Sequence, residues 1–230
     1  MAALLAHASD SRLQLAQPRG TVWSGDARLV LSGGVASRDA LLLPGRVNWS
    51  LHPRGLGLEL RLRADCCTTE ALVLRARARW RGWSLAIADS TSQWAAAVLA
   101  GLGAPWNTLQ PQGRLVLATQ GLSVEWLDGR SSVLGRASLD AIELSSRLST
   151  LRPIGSYRLR LTGNGLSAPP QLQLETLQGS LKLSGQGQWS GARWNFRGLA
   201  SAAPEHELVL ENLLNIVGRR QGATSVIALD

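Results

Sequence analysis

The stretch Leu56-Gly57-Leu58-Glu59-Leu60-Arg61-Leu62-Arg63-Ala64 decides the fold class, because its even positions are apolar and most of its odd positions are charged. A period of two places successive side chains on opposite faces of a β-strand. The same alternation recurs along the rest of the chain, in residues 47–51, 72–81, 115–117, 157–161, 172–174 and 181–183. Because clean alternation favours antiparallel sheets with one solvated face, the sequence predicts a mainly β protein.

Two segments have helical spacing instead. In the first, apolar residues recur between positions 94 and 102, after Ser90-Thr91-Ser92, whose side chains can cap a helix. In the second, they recur between positions 210 and 217 and stop at Gly218. We expect one short α-helix in each half of the chain, near 92–102 and near 207–217.

A glycine and tryptophan box occurs twice, as Gly20-Thr21-Val22-Trp23-Ser24-Gly25 and as Gly187-Gln188-Trp189-Ser190-Gly191. Tryptophan supplies a large, rigid side chain, and glycine allows a close backbone approach. We therefore expect Trp23 and Trp189 to be well buried at related positions, although the second box aligns better with Trp80.

The order of strands and helix is similar in the two halves, which predicts an internal duplication. We expect two similar curved antiparallel sheets, in residues 20–125 and 126–230, each with one short α-helix on its apolar face. Residues 1–19 form an N-terminal arm. Its apolar start, Met1–Ala6, is too short to span a bilayer, so the arm is either the beginning of a soluble protein or the remnant of a membrane anchor.

Composition limits the classes of function. The chain has 230 residues, 45% hydrophobic and 17% charged, which is typical of a globular protein with a core. Its formal charge of +8 leaves two interpretations open, a solvated basic face or an acidic partner such as a membrane surface. Because the arginines are spread from Arg12 to Arg220, we expect no nucleic-acid partner.

The sequence contains no convergent set of catalytic or ligating residues. His7, His52 and His206 lack metal-ligand spacing, so we expect no metal, no cofactor and no enzyme activity. Cys66 and Cys67 are adjacent, which strains a disulfide between them. An unusual redox pair stays open, but we favour two thiols on opposite faces of a strand end.

Six short motifs follow one another along the chain. They are Gly-Thr-Val-Trp-Ser-Gly-x-Ala (20–27), Trp-x-Leu-x-Pro (49–53), Pro-x-Gly-x-Tyr-x-Leu (153–159), Leu-Glu-Thr-x-x-Gly-x-Leu (174–181), Gly-x-Gly-x-Trp (185–189) and Leu-Leu-x-x-x-Gly (213–218). In this order they resemble the type II secretion system protein N family, also called general secretion pathway protein N, over nearly the whole chain from Gln14. The motif residues we single out are Gly20, Trp23, Gly25, Trp49, Pro53, Gly155, Tyr157, Thr176, Gly179, Trp189, Gly191 and Gly218.

The resemblance implies a non-enzymatic accessory component of the machinery that exports folded proteins from the periplasm of Gram-negative bacteria. It also implies other secretion components as partners, and anchorage in the inner membrane by one N-terminal helix, with the remainder in the periplasm. This sequence departs from that pattern because it lacks the helix.

Two hypotheses about the molecular role follow. A scaffold would engage another secretion component through an edge strand or an apolar sheet face. Alternatively, a concave apolar sheet face would bind a lipid or another hydrophobic ligand. Helices that seal the apolar faces of both halves would remove the lipid pocket, whereas a continuous apolar trough open to solvent would count against a pure scaffold.

Overall fold

The computed structural model describes residue 7 and residues 9–34, 40–191 and 193–229. All the described strands join one open antiparallel sheet, so the prediction of a mainly β protein is confirmed. The strands are β1 (Leu13–Gly20), β2 (Ser24–Ser32), β3 (Ala40–Leu42), β4 (Val47–Pro53), β5 (Gly57–Ala64), β6 (Leu72–Arg79), β7 (Gly82–Ile87), β8 (Ser90–Ala95), β9 (Gln112–Leu127), β10 (Arg130–Ser145), β11 (Gly155–Gly165), β12 (Gln171–Gly179), β13 (Leu181–Trp189), β14 (Trp194–Ala202), β15 (Arg219–Gln221) and β16 (Thr224–Leu229).

The strand order is β1-β2-β4-β5-β6-β7-β9-β10-β11-β12-β13-β14-β16-β15, with β3 paired to β2 and β8 paired to β9. The prediction of two separate sheets is therefore corrected to one sheet. The halves are continuous because β9 pairs with β7 on one side and with β10 on the other. The internal duplication stays a prediction, as does the division into 20–125 and 126–230, whose boundary falls near the end of β9.

The α-helix predicted near 92–102 is corrected in its type and in its bounds. Residues 90–95 form β8, and a 3₁₀ helix (Ala96–Leu102) and a four-residue α-helix (Trp106–Leu109) follow. The Ser92 hydroxyl, expected to cap a helix, instead accepts a hydrogen bond from the Trp94 indole N–H (2.9 Å), and Trp94 pairs with Leu115 of β9. Pairing along the long β9 strand thus overrides the local helical spacing.

The second helix occupies Glu207–Val217, as the spacing predicts, and we call it the C-terminal helix. The residue that follows it, Gly218, has extended backbone with a φ of −165°. A Cβ at Gly218 would lie 2.5 Å from the Val226 carbonyl oxygen, so glycine is needed there for close approach to β16.

The core lies where the C-terminal helix packs on one face of the sheet. Leu210, Leu213 and Leu214 of the helix are fully buried. They form one cluster with residues from the sheet and its connections, namely Leu109, Ile154, Tyr157, Leu181 and Ala200. This helix therefore seals the apolar face at one end of the sheet.

Because neighbouring strands are antiparallel, their connections gather at two edges of the sheet. We call one the turn edge, which consists of six connections at residues 20–24, 53–57, 79–82, 127–130, 165–171 and 189–194. We call the other the helix edge, because the helical connections between β8 and β9 and between β14 and β15 leave from it.

Candidate interaction surfaces

The first motif forms a socket for one tryptophan. Gly25 pairs directly with Trp49, and a Cβ on Gly25 would lie 2.6 Å from the Trp49 ring. Gly20 has a φ of 90°, a value that favours glycine. The Trp49 ring is buried, and its indole N–H donates to the Thr21 carbonyl oxygen (3.2 Å). The aromatic residue that this box holds is thus Trp49.

The prediction that Trp23 is well buried is wrong. Its side chain is 55% exposed, because Trp23 lies in the connection between β1 and β2 at the turn edge. Its backbone carbonyl oxygen accepts a hydrogen bond from the Leu51 N–H (2.7 Å). Pro53, at the end of β4, is also exposed at this edge.

Trp189 is half-buried, which corrects its predicted full burial. Its ring packs edge to face on that of Trp194, with the ring centroids 5.6 Å apart. Gly191 lies in the connection between these two tryptophans and has a φ of 88°. These residues therefore belong to the turn edge.

The motif residues of β11 and β12 lie together beside the core. Gly155 pairs directly with Gly179, and a Cβ on Gly179 would lie 2.2 Å from the Gly155 Cα. A Cβ on Gly155 would also lie 2.5 Å from the Tyr157 hydroxyl oxygen. That hydroxyl donates to the Leu181 carbonyl oxygen (3.1 Å), and burial raises the pKa of Tyr157 well above its ordinary value. The glycines thus make room for a buried, hydrogen-bonded tyrosine.

The Thr176 side chain forms hydrogen bonds to β13 at the point where the backbone pairing between β12 and β13 has ended. The ladder between β12 and β13 ends at Leu174 and Gly185. Beyond that point, the Thr176 hydroxyl donates to the Leu183 carbonyl oxygen (2.8 Å) and accepts from the Leu183 N–H (2.6 Å). The Thr176 side chain therefore connects β12 to β13 beyond the end of their backbone pairing.

One face of the sheet is apolar across both halves, and its middle is incompletely covered. In the first half, four directly paired residues form a row across β4 to β7, and all four are half-buried: Leu51, Leu60, Leu74 and Ile87. In the second half, an equivalent half-buried row crosses β9 to β12: Leu117, Leu139, Leu159 and Leu174. We call these the leucine rows. The strand register places them on the same face of the sheet.

The opposite face carries charges, and its most enclosed group is Glu59 of β5. The residue is only 3% exposed, and its carboxylate binds the guanidinium groups of Arg54 (2.7 Å), Arg61 (2.8 Å) and Arg75 (2.9 Å). Hydrogen bonds, first from Arg75 and then from Arg61, lower the pKa of Glu59 from 4.5 to about 2. Three cations thus surround one anion, which leaves the group positively charged.

A smaller charged pair lies on the same face in the second half. Arg158 binds both carboxylate oxygens of Asp140, at 2.7 and 2.6 Å. This hydrogen bonding lowers the pKa of Asp140. Nearby, a solvent-open depression of about 710 Å³ is lined mainly by side-chain amides, from Gln171, Gln173, Gln186, Gln188 and Asn195.

The two adjacent cysteines are not free thiols. Cys66 and Cys67 form a disulfide, in the connection between β5 and β6, so the preferred prediction of two thiols is wrong. A disulfide is typical of an oxidising compartment.

The histidines lie apart from one another. His52 is at the end of β4, and His206 is beside the C-terminal helix, where its Nδ1 lies 3.7 Å from a Glu205 carboxylate oxygen. Within residue 7 and residues 9–34, 40–191 and 193–229, no group of three His, Cys, Asp or Glu residues could hold a metal ion. The same part of the chain has no helix of the length and apolar character that crossing a membrane requires.

The outer strands of the sheet offer little open backbone. The Ser32 N–H donates to the Arg12 carbonyl oxygen (2.8 Å). Because backbone groups of successive residues in an antiparallel strand point alternately towards and away from the neighbouring strand, the N–H and C=O of Leu13 point away from β2. There the Ser9 hydroxyl binds both the N–H (3.1 Å) and the carbonyl (3.3 Å) of Leu13. A bulge then interrupts β1 at Pro18. At the other end of the sheet, β15 has only three residues.

The sequence matches the model of one known protein family over nearly its whole length. The family model described as type II secretion system (T2SS), protein N matches residues 11–227. The chain belongs to this family. No curated protein and no solved structure matches the chain. Family membership implies an accessory role in type II protein secretion and interaction with other components of that machinery. The protein N family is not a known enzyme family.

Sequence reasoning missed the exposed apolar residues at the tips of the turn edge. Leu56 is 88% exposed and Trp80 is 99% exposed, each within one of the six connections. A signal was present, because each apolar residue stands beside glycine or arginine in a turn sequence, Arg54-Gly55-Leu56-Gly57 and Arg79-Trp80-Arg81-Gly82. However, the same turn sequences are also compatible with burial of these side chains in a core.

Proposed function

We propose that this chain is a non-enzymatic scaffold of the type II secretion machinery, which acts in the periplasm by packing its apolar sheet face against another secretion component. The observation that carries the proposal is the family match over residues 11–227. The disulfide between Cys66 and Cys67 agrees with a periplasmic location, since the periplasm favours disulfides.

The guarded edges favour face packing over strand addition. A partner strand needs a run of outward N–H and C=O groups. The described part of β1 presents Leu13 already bound to Ser9 and a bulge at Pro18, and β15 is short. Bulges, proline and short edge strands are the features that prevent edge pairing in natural sheets.

The leucine rows offer the larger surface. Their half-buried side chains lie in direct register over four strands in each half, whereas the C-terminal helix covers only the end of the face beside the core. A partner that covered these rows would remove apolar surface from water, which stabilises a complex by roughly 25 cal/mol per Å² before the costs of association.

Photo-crosslinking in cells that carry the full-length protein tests this proposal. A photo-reactive residue at Leu139 samples the apolar face, and one at the next position, Ser138, samples the charged face of the same strand. We expect Leu139 to yield a crosslink to a secretion component and Ser138 to yield much less. Crosslinks from Ser138 alone, or no secretion component from either position, would contradict face packing.

A second candidate function is binding of a lipid or another hydrophobic ligand on the same face. It is favoured by the leucine rows, whose half-buried side chains lie on one face of the sheet in both halves. A curved sheet with such a face can hold an acyl chain.

Mass spectrometry of the purified protein separates the two functions. If lipid binding is correct, lipid co-purifies with the protein, Leu139→Arg removes it, and Ser138→Arg on the charged face leaves it bound. Lipid-free protein that still crosslinks through Leu139 to a secretion component would contradict the lipid function and support the scaffold.

We also propose the family's inner-membrane anchorage through a preceding N-terminal helix. Strand β1 runs from the helix edge towards the turn edge, because Leu13 pairs with Leu31 and Gly20 with Gly25. An anchor that preceded residue 7 would therefore join the sheet at the helix edge, which leaves the turn edge free to meet a different surface.

A further inference from the structure

The turn edge concentrates the tryptophans of the chain. Six of the nine tryptophans lie within its six connections or directly beside them: Trp23, Trp80, Trp83, Trp126, Trp189 and Trp194. Successive connections are two strands apart, which corresponds to about 10 Å along the edge. The aromatic residues therefore form a line along one side of the sheet.

Apolar side chains project furthest at the tips of this edge. Trp80 is 99% exposed, Leu56 is 88% exposed and Leu166 is 79% exposed, and each belongs to a different connection. Packing within the described part of the chain does not account for these three large apolar side chains at the tips. Large side chains that are each exposed on a separate hairpin tip of one edge are suited to insertion into a lipid layer, which each tip can enter on its own.

The charge at the same edge is positive. The six connections contain five arginines (Arg54, Arg79, Arg81, Arg130 and Arg193) and one acidic residue, Asp128. Arg81 pairs with Asp128 (2.5 Å) and Arg79 pairs with Glu125 just inside the edge (3.0 Å), but Arg130 and Arg193 are exposed and form no ion pair with the described residues. Glu59, just inside the edge, is already outnumbered by its three arginines.

We propose that the turn edge binds the surface of an anionic lipid bilayer. Tryptophan rings favour the headgroup level of a membrane, and arginines attract anionic lipids. At the tip between β6 and β7, Trp80 stands between Arg79 and Arg81, which are themselves paired with Glu125 and Asp128, so this turn supplies the inserting ring. The unpaired arginines at the edge are Arg130 and Arg193, which form no ion pair with the described residues. This function goes beyond the secretion role, because it needs only this chain and lipid.

Vesicle co-sedimentation with the purified protein tests the inference. We expect binding to vesicles of phosphatidylcholine mixed with phosphatidylglycerol, weaker binding to phosphatidylcholine alone, and loss of binding at high salt. The double variant Leu56→Ser/Trp80→Ser removes two tips, and we expect its partition onto anionic vesicles to fall about tenfold or more. Both side chains are exposed, so the variant should melt at the wild-type temperature.

A matched control lies at the opposite side of the sheet. Leu208 is 89% exposed and Trp106 is 37% exposed, in the helical connections of the helix edge. We expect Leu208→Ser/Trp106→Ser to bind anionic vesicles as the wild type does. Absence of wild-type binding, or equal loss in both double variants, would overturn the inference.

A photo-reactive residue at position 80, in cells, distinguishes a lipid from a protein on this edge. Crosslinking to phospholipid supports the inference. Crosslinking to a protein without lipid would overturn it and assign the turn edge to a protein partner. Neither result depends on the leucine rows, so the inference and the scaffold proposal can fail independently.

Discussion

At the scale of single residues, aromatic side chains are placed over glycines. The Trp49 ring covers Gly25, the Tyr157 hydroxyl meets the space above Gly155, and the Phe196 ring lies 2.4 Å from where a Cβ of Gly185 would be. A glycine within a strand lacks a side chain to pack, and a neighbouring ring compensates for that loss. Each of these glycines thus packs against one aromatic side chain.

Tyr157→Phe tests the polar part of one such unit. The change removes the hydroxyl that donates to the buried Leu181 carbonyl, so we expect the free energy of unfolding to fall by about 1 to 3 kcal/mol. Urea unfolding measures the difference. Thr162→Val on the same strand is the control, because the Thr162 hydroxyl has no hydrogen-bond partner among the described residues. Equal losses in the two variants would contradict a specific role for the Tyr157 bond.

The sequence predicted the strands better than the positions of individual side chains. Alternation correctly identified most strands, because a half-buried strand must alternate. The burial of Trp23 was wrong, since a turn of the form Gly-x-x-Trp-x-Gly can point its ring to solvent, and the ring that fills the socket, Trp49, comes from another strand. Such partners are separated by more than twenty residues and leave no local signal.

At the scale of elements, the charged face depends on one carboxylate between two strands. Glu59 of β5 binds Arg61 on its own strand and Arg75 on β6, so it neutralises repulsion across the pair. A lone acid among alternating arginines was visible in the sequence. Its enclosure was not, because the sequence does not show that three guanidinium groups converge on it.

The stability of this element should depend on pH in a defined window. Since the folded pKa of Glu59 is about 2 and its ordinary value is 4.5, its contribution is present above pH 4.5 and is lost as the pH falls towards 2. We expect Glu59→Gln to be less stable than wild type at neutral pH, and the difference to shrink over that window.

Urea midpoints measured from pH 7 to pH 2 check this expectation. Glu125→Gln is the control, because Glu125 forms a single, more exposed pair with Arg79 (3.0 Å), which contributes little. A difference between Glu59→Gln and wild type that stays constant with pH would show that the ionised carboxylate is not the stabilising group.

At the scale of the whole molecule, the two halves share one sheet. Side-chain alternation shows which residues face the core but not which strands are neighbours, so the sequence could not exclude two sheets. The junction is β9, which pairs with β10 at thirteen positions across the predicted boundary and with β7 and β8 on its other side. A half ending at residue 125 would expose the whole β10 side of this strand.

The predicted duplication can be tested with the separated halves. We expect residues 126–230 to form folded sheet when β9 is included, in a fragment that begins at residue 112, and to be less stable when it begins at residue 126, because β10 then lacks the strand with which it pairs at thirteen positions. Circular dichroism and size-exclusion chromatography give the readout. Equal folding of the two fragments would favour two self-contained repeats.

The near-sequential strand order has a mechanical consequence. Strand β1 lies at one end of the sheet, and β16, which ends at residue 229, lies next to the other end, so a force that pulls residue 7 away from residue 229 loads these two strands first. In this unzipping geometry the hydrogen bonds between antiparallel neighbours would break one after another, whereas in a shear geometry they would break together. The molecule should lengthen in small steps at low force, one hairpin at a time.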